Sequence, residues 1–121
     1  MKNEAVRPEA LSASSLIGNK VVNPMGEDLG KVEEIMLDVH TGRVAYAVLS
    51  FGGFLGLGEK LFAIPWDAMV LDTNRHLFVL NVEKETLKNA PGFDKDNWPL
   101  TGDTDWLASI YSYYGYEPYW R

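Results

Sequence analysis

Residues 42–66 read GRVAYAVLSFGGFLGLGEKLFAIPW, two apolar runs around a glycine-rich tip. Successive side chains of a strand point to opposite faces. In VAYAVLSF, residues 44–51, that alternation puts Val44, Tyr46 and Val48 on one face, and Ala45, Ala47, Leu49 and Phe51 on the other. A strand that is apolar on both faces needs a core beneath it and a cover above it. The run KLFAIP, residues 60–65, returns as its hairpin partner, and Pro65, which lacks a ladder donor, ends it. Glycines permit the tight turn at the tip. The tip side chains Phe54, Leu55 and Leu57 then either fold over the barrel mouth or make an intermolecular contact.

The segments on either side extend the β pattern. Ser12, Ser14 and Ser15 suit the cap of a short helical turn, and Lys20-Val21-Val22 is a brief strand before the turn NPMGED, residues 23–28. In KVEEIMLDV, residues 31–39, placing Val32 in the core beside Ile35 and Leu37 requires one extra residue, so a β-bulge is expected near Glu33-Glu34. Gly42 closes the next loop in a left-handed conformation. Short strands follow at residues 69–72 and 77–82, then a helical segment at residues 83–90 that stops at Pro91-Gly92. Asp103 caps a last helix reaching about Tyr114, with Trp106, Ile110 and Tyr113 on one face and Gly115 as its stop. The expected fold is therefore mainly β, a small antiparallel barrel with short helices after it. Residues 1–13 form a flexible lead-in, 14–90 the barrel, and 91–121 an aromatic extension.

A net charge of -6 argues against nonspecific nucleic-acid binding, which needs a basic surface. The absence of cysteine excludes disulfides, thiolate nucleophiles and thiolate metal sites. No apolar run approaches the roughly 18 residues of a membrane span and no leader is evident, so a soluble cytoplasmic protein without membrane insertion is expected.

Candidate chemistry is sparse. Gly53 and Gly58 have the spacing of a phosphate-binding loop, but Glu59 occupies its lysine position and Leu61 its hydroxyl position. His40 and His76 lack partners at metal-ligand spacing, and the acidic residues Glu27, Asp28, Glu33, Glu34 and Asp38 lack a calcium-loop pattern. No catalytic residue, cofactor or metal is assigned. The aromatic residues of the extension, Trp98, Trp106, Tyr111, Tyr113, Tyr114, Tyr116, Tyr119 and Trp120, are too many for a solvated tail. They pack on their own barrel, cross to a second copy, or hold another ligand.

The order of these segments resembles the PRC-barrel family. The matching residues are Leu16-Ile17-Gly18, then GEDLGKV at 26–32, Asp38 with Thr41-Gly42-Arg43, and Tyr46-Ala47-Val48. Ser50-Phe51-Gly52-Gly53, GLGEK at 56–60 and Ile64-Pro65-Trp66 complete the pattern, which covers about residues 14–85. The resemblance implies a non-catalytic adaptor that docks onto other proteins and often self-associates. The expected partners are a second copy, forming a homodimer, and a further protein not identified by sequence. The expected interaction surface comprises Phe51, Phe54, Leu55, Leu57, Trp98, Trp106, Ile110, Tyr113, Tyr114 and Trp120. Two other readings stand behind it. A ribosome- or RNA-processing role follows from the family's ribosome maturation members, and a small-ligand or enzymatic barrel would use Glu59 or Asp67 as acid or base.

Overall fold

The computed structural model describes residues 9–52, 59–100 and 102–121. Six strands form one sheet: β1 (Lys20–Val22), β2 (Asp28–Leu37), β3 (Val44–Gly52), β4 (Glu59–Ile64), β5 (Met69–Asp72) and β6 (Leu77–Leu80). Their order is β4-β3-β2-β1-β6-β5. The β4 and β5 edges lie at opposite ends of that order, yet only Pro65 and the 3₁₀ turn Trp66–Ala68 join them. A chain reaches roughly 3.5 Å per residue at most, so this short link forces the sheet to curl into a half-barrel. The helices are α1 (Ala13–Leu16), α2 (Lys84–Lys88) and α3 (Thr104–Tyr113).

Four ladders are antiparallel, in keeping with the small antiparallel barrel expected above, and the β1–β6 ladder is parallel. It arises because the β5–β6 hairpin returns along β1 with the two strands in register from Lys20↔Leu77 to Val22↔Val79.

The expected bulge in β2 is present: Val32 pairs with Leu49 and Glu34 with Val48, so Glu33 is the extra residue. Val32 is thereby buried, and Ile35 packs against the same core. Leu37 is not in that core. A second irregularity between Met36 and Leu37 turns it outward, and it is 61% exposed. Gly30 shows how closely β2 and β3 approach. Its φ is +107°, and an added Cβ would lie 2.0 Å from the Ser50 carbonyl oxygen.

Two apolar layers result. Inside the curl, Ala47 and Leu49 of β3 meet Phe62 and Ile64 of β4, with Val21, Phe78 and Leu80 from the other half of the sheet. On the outside, Tyr46 and Val48 of β3 and Leu61 and Ala63 of β4 form a second buried cluster around Ile110 of α3. The doubly apolar strand is therefore covered by the chain's own extension. Fully burying each such aliphatic side chain contributes about 1.5–3 kcal/mol. The extension also adds to the β4 edge, where Leu61 and Phe93 exchange backbone hydrogen bonds of 2.8 and 2.9 Å. That pairing covers a strand edge otherwise open to another chain.

Candidate functional site

The seam between the extension and the barrel begins at the start of α3. Asp103 accepts a hydrogen bond from the Trp106 amide at 3.0 Å, as an N-cap carboxylate should. The helix then lays Trp106, Leu107, Ile110, Tyr111 and Tyr114 toward the barrel, a broader stripe than the Trp106–Ile110–Tyr113 face read from spacing. Tyr113 instead is 40% exposed, and its hydroxyl donates to the Thr86 carbonyl at 2.8 Å. Tyr111, left out of the expected surface, is 4% exposed and donates to the Ala45 carbonyl at 2.7 Å. Its burial pushes the phenol up to about 12, with the Asp67 charge adding in the same direction.

Beyond Gly115, which ends the helix at φ +82°, the chain turns back onto the β2–β3 loop. The Tyr119 hydroxyl donates to Asp38 Oδ2 at 2.7 Å, and Arg43 donates to the Tyr119 carbonyl at 3.2 Å. The Arg43 guanidinium also sits 5.0 Å from the centre of the Tyr119 ring, within cation–π range. The Tyr119 hydrogen bond holds the Asp38 carboxyl below the usual carboxylate range, helped by the His40 amide. Burial pushes the Tyr119 phenol up to about 12, and the hydrogen bond to Asp38 adds to the rise.

A cleft of about 480 Å³ opens along this seam, between the β2–β3 loop and the extension. Its walls include Met36, Tyr46, Trp106 and Trp120, with Asp38 and Asp103 among the lining residues. Leu37, Val39 and Leu100 also line it while remaining 61, 85 and 80% exposed, so the apolar surface continues outside the cleft.

The residues expected to form an interaction surface thus separate. Trp106 and Trp120 line the cleft, and Trp98, 38% exposed, stands outside it with its ring 5.2 Å from Phe93. Ile110 is 1% exposed and is spent inside the chain, as is most of Tyr114, whose buried hydroxyl has no hydrogen-bond partner among the described residues. Burial pushes that phenol up, with Tyr113 adding. Phe51 faces the inner core, packed 6.5 Å from Phe62. Phe54, Leu55 and Leu57 lie outside the described residues.

The expected interaction surface left out Leu37, Val39, Leu100, Asp38 and Tyr119, although Tyr119 was among the aromatic residues expected to pack on a barrel. The run of Leu37 and Val39 beside a loop was a visible signal, but the bulge argument assigned Leu37 to the core. Nothing in the sequence links Asp38 to Tyr119.

Among the described residues, no group of three or more His, Cys, Asp or Glu side chains could hold a metal ion, and no helix is long and apolar enough to cross a membrane. Asp67, one of the two acids considered for catalysis, is exposed in the 3₁₀ turn.

The PRC-barrel domain model matches residues 8–87, more than half of the chain. The chain belongs to the PRC-barrel family. Residues 91–121, which carry α3 and the seam, follow the matched region of this PRC-barrel protein. Among solved structures, it is similar to RimM from Pseudomonas aeruginosa, described as a candidate 16S ribosomal RNA processing protein. The two are 15% identical with a TM-score of 0.43, over 62% of this chain and 45% of that one. The PRC-barrel chain therefore matches less than half the length of that protein. Comparison with curated proteins finds no match.

Proposed function

We propose that this PRC-barrel chain is a non-catalytic docking module of the cytoplasm that acts through protein contacts and pairs with a second copy of itself. The observation that carries the reading is the exposed apolar surface around the seam, Leu37, Val39 and Leu100, contiguous with an apolar cleft. Scattered apolar side chains are normal on a protein surface, but several around one cleft are characteristic of contact sites. The extension supports the same reading. It occupies the outer face of β3 and β4, so that face is spent, while the seam beside it stays open. The net charge of -6 and the two carboxylates in the cleft favour a protein contact over RNA.

Sedimentation velocity across a concentration series tests this. A dimer is expected at the higher concentrations, and Leu37→Glu with Val39→Glu should shift the protein toward monomer by burying charge in the contact. A wild-type chain that remains monomeric at all accessible concentrations contradicts self-association.

A further inference from the structure

The seam cleft also has the chemical character of a small-molecule site. Four of its lining residues are aromatic: Tyr46, Trp106, Tyr119 and Trp120. They form two nearly perpendicular pairs, Tyr46 with Trp106 at 74° and 5.6 Å, and Tyr119 with Trp120 at 84° and 5.1 Å. In each pair the edge of one ring packs against the face of the other, which holds the four rings in fixed orientations along the cleft. Among the described lining residues Asp38 and Asp103 are acidic and His40 is basic, and the Arg43 guanidinium stands at one end against the Tyr119 ring.

Both carboxylates are fixed in place by backbone amides, Asp38 by His40 at 2.9 Å and Asp103 by Trp106 at 3.0 Å. Their charge is therefore part of the built site. An anion entering the cleft meets two like charges, and a cation meets two opposite ones. Aromatic faces with a nearby negative charge are the surroundings that an alkylated ammonium ion favours. The protein already uses one of these rings that way, through the Arg43 guanidinium over Tyr119. The volume, about 480 Å³, falls among those of small-molecule sites.

We infer that the seam cleft binds a small apolar organic cation, an ammonium group carried on a hydrocarbon or aromatic body. The ammonium lies against the aromatic walls near Asp38 and Asp103, and its apolar body lies along Met36 and Leu107. This ligand site goes beyond the docking reading and stands independently of whether the chain pairs with itself.

Three soluble probes of similar size and different charge test it on the full chain: benzyltrimethylammonium, benzyl alcohol and benzenesulfonate. Binding is read from tryptophan fluorescence and from NMR shifts of the lining residues. The cation is expected to saturate at millimolar concentration, about tenfold tighter than the alcohol, with shifts at Tyr46, Trp106 and Trp120 and no binding of the sulfonate. Asp38→Asn keeps an acceptor for Tyr119 and should weaken the cation several-fold while leaving the alcohol unchanged. Trp120→Leu, with folding checked by thermal unfolding, should weaken the cation independently of Asp38. Equal affinity for cation and alcohol, absence of saturation by the cation, or shifts confined to another surface overturns the inference.

Discussion

The Tyr119 hydroxyl donates a 2.7 Å hydrogen bond to Asp38 Oδ2, tying the chain's last turn to the loop between β2 and β3 across 81 positions of sequence. The contact closes one end of the seam, with Arg43 holding the same residue through its carbonyl and its ring. It has pH limits on both sides. The Asp38 carboxyl is held below its ordinary 3.8, so its contribution is complete above that value and is lost as pH falls through the lowered one. The Tyr119 phenol is raised from 10.0 to about 12, so its contribution is complete below 10 and disappears as pH rises toward 12. Protection of the amides at residues 116–121, taken as exchange relative to the intrinsic rate at the same pH, should therefore fall at both extremes. Tyr119→Phe should show faster exchange already at neutral pH and a flatter response to alkali.

Tyr111 makes the corresponding contact inside the seam, where water does not compete. Tyr111→Phe removes the donor to the buried Ala45 carbonyl and should cost about 1–2 kcal/mol in denaturant unfolding. An unchanged midpoint contradicts the assigned hydrogen bond.

Tyr114 should behave in the opposite way. Its hydroxyl is buried without a partner among the described residues, so Tyr114→Phe removes a polar group that costs energy to desolvate. Thermal unfolding of this variant should be unchanged or shifted upward. A loss comparable to that of Tyr111→Phe would place an acceptor at Tyr114.

At Gly30, space and backbone conformation act together. Gly30→Ala puts a methyl group against the Ser50 carbonyl in a residue at φ +107°, which should destabilise the barrel by about 3 kcal/mol. Gly26, also at positive φ but with open space around its Cβ position, should cost less when changed to Ala. Urea midpoints of the two variants give the comparison.

Much of this architecture was legible in local sequence. Strand alternation located β3 and β4, the Val32–Ile35 conflict located the bulge, and Asp103 and Gly115 bracketed α3. The two apolar faces of β3 announced that something must cover it. What covers it was not legible, because own-chain packing and packing on a second copy bury the same side chains. The seam was less legible still. Leu37 leaves the core through a second ladder irregularity that hydrophobic patterning does not encode, and Tyr119 finds Asp38 only after α3 has set the direction of the chain.

The docking surface and the cleft exist only if residues 91–121 fold onto their own barrel. Isotope-filtered NMR on a mixture of labelled and unlabelled chains tests that directly, through the contacts of Trp106 with Tyr46 and of Ile110 with the β3–β4 face. These contacts should appear within one chain and be absent between labelled and unlabelled chains. Strong intermolecular contacts between the same residues would show that the extension covers a partner's barrel, and would contradict the seam described above.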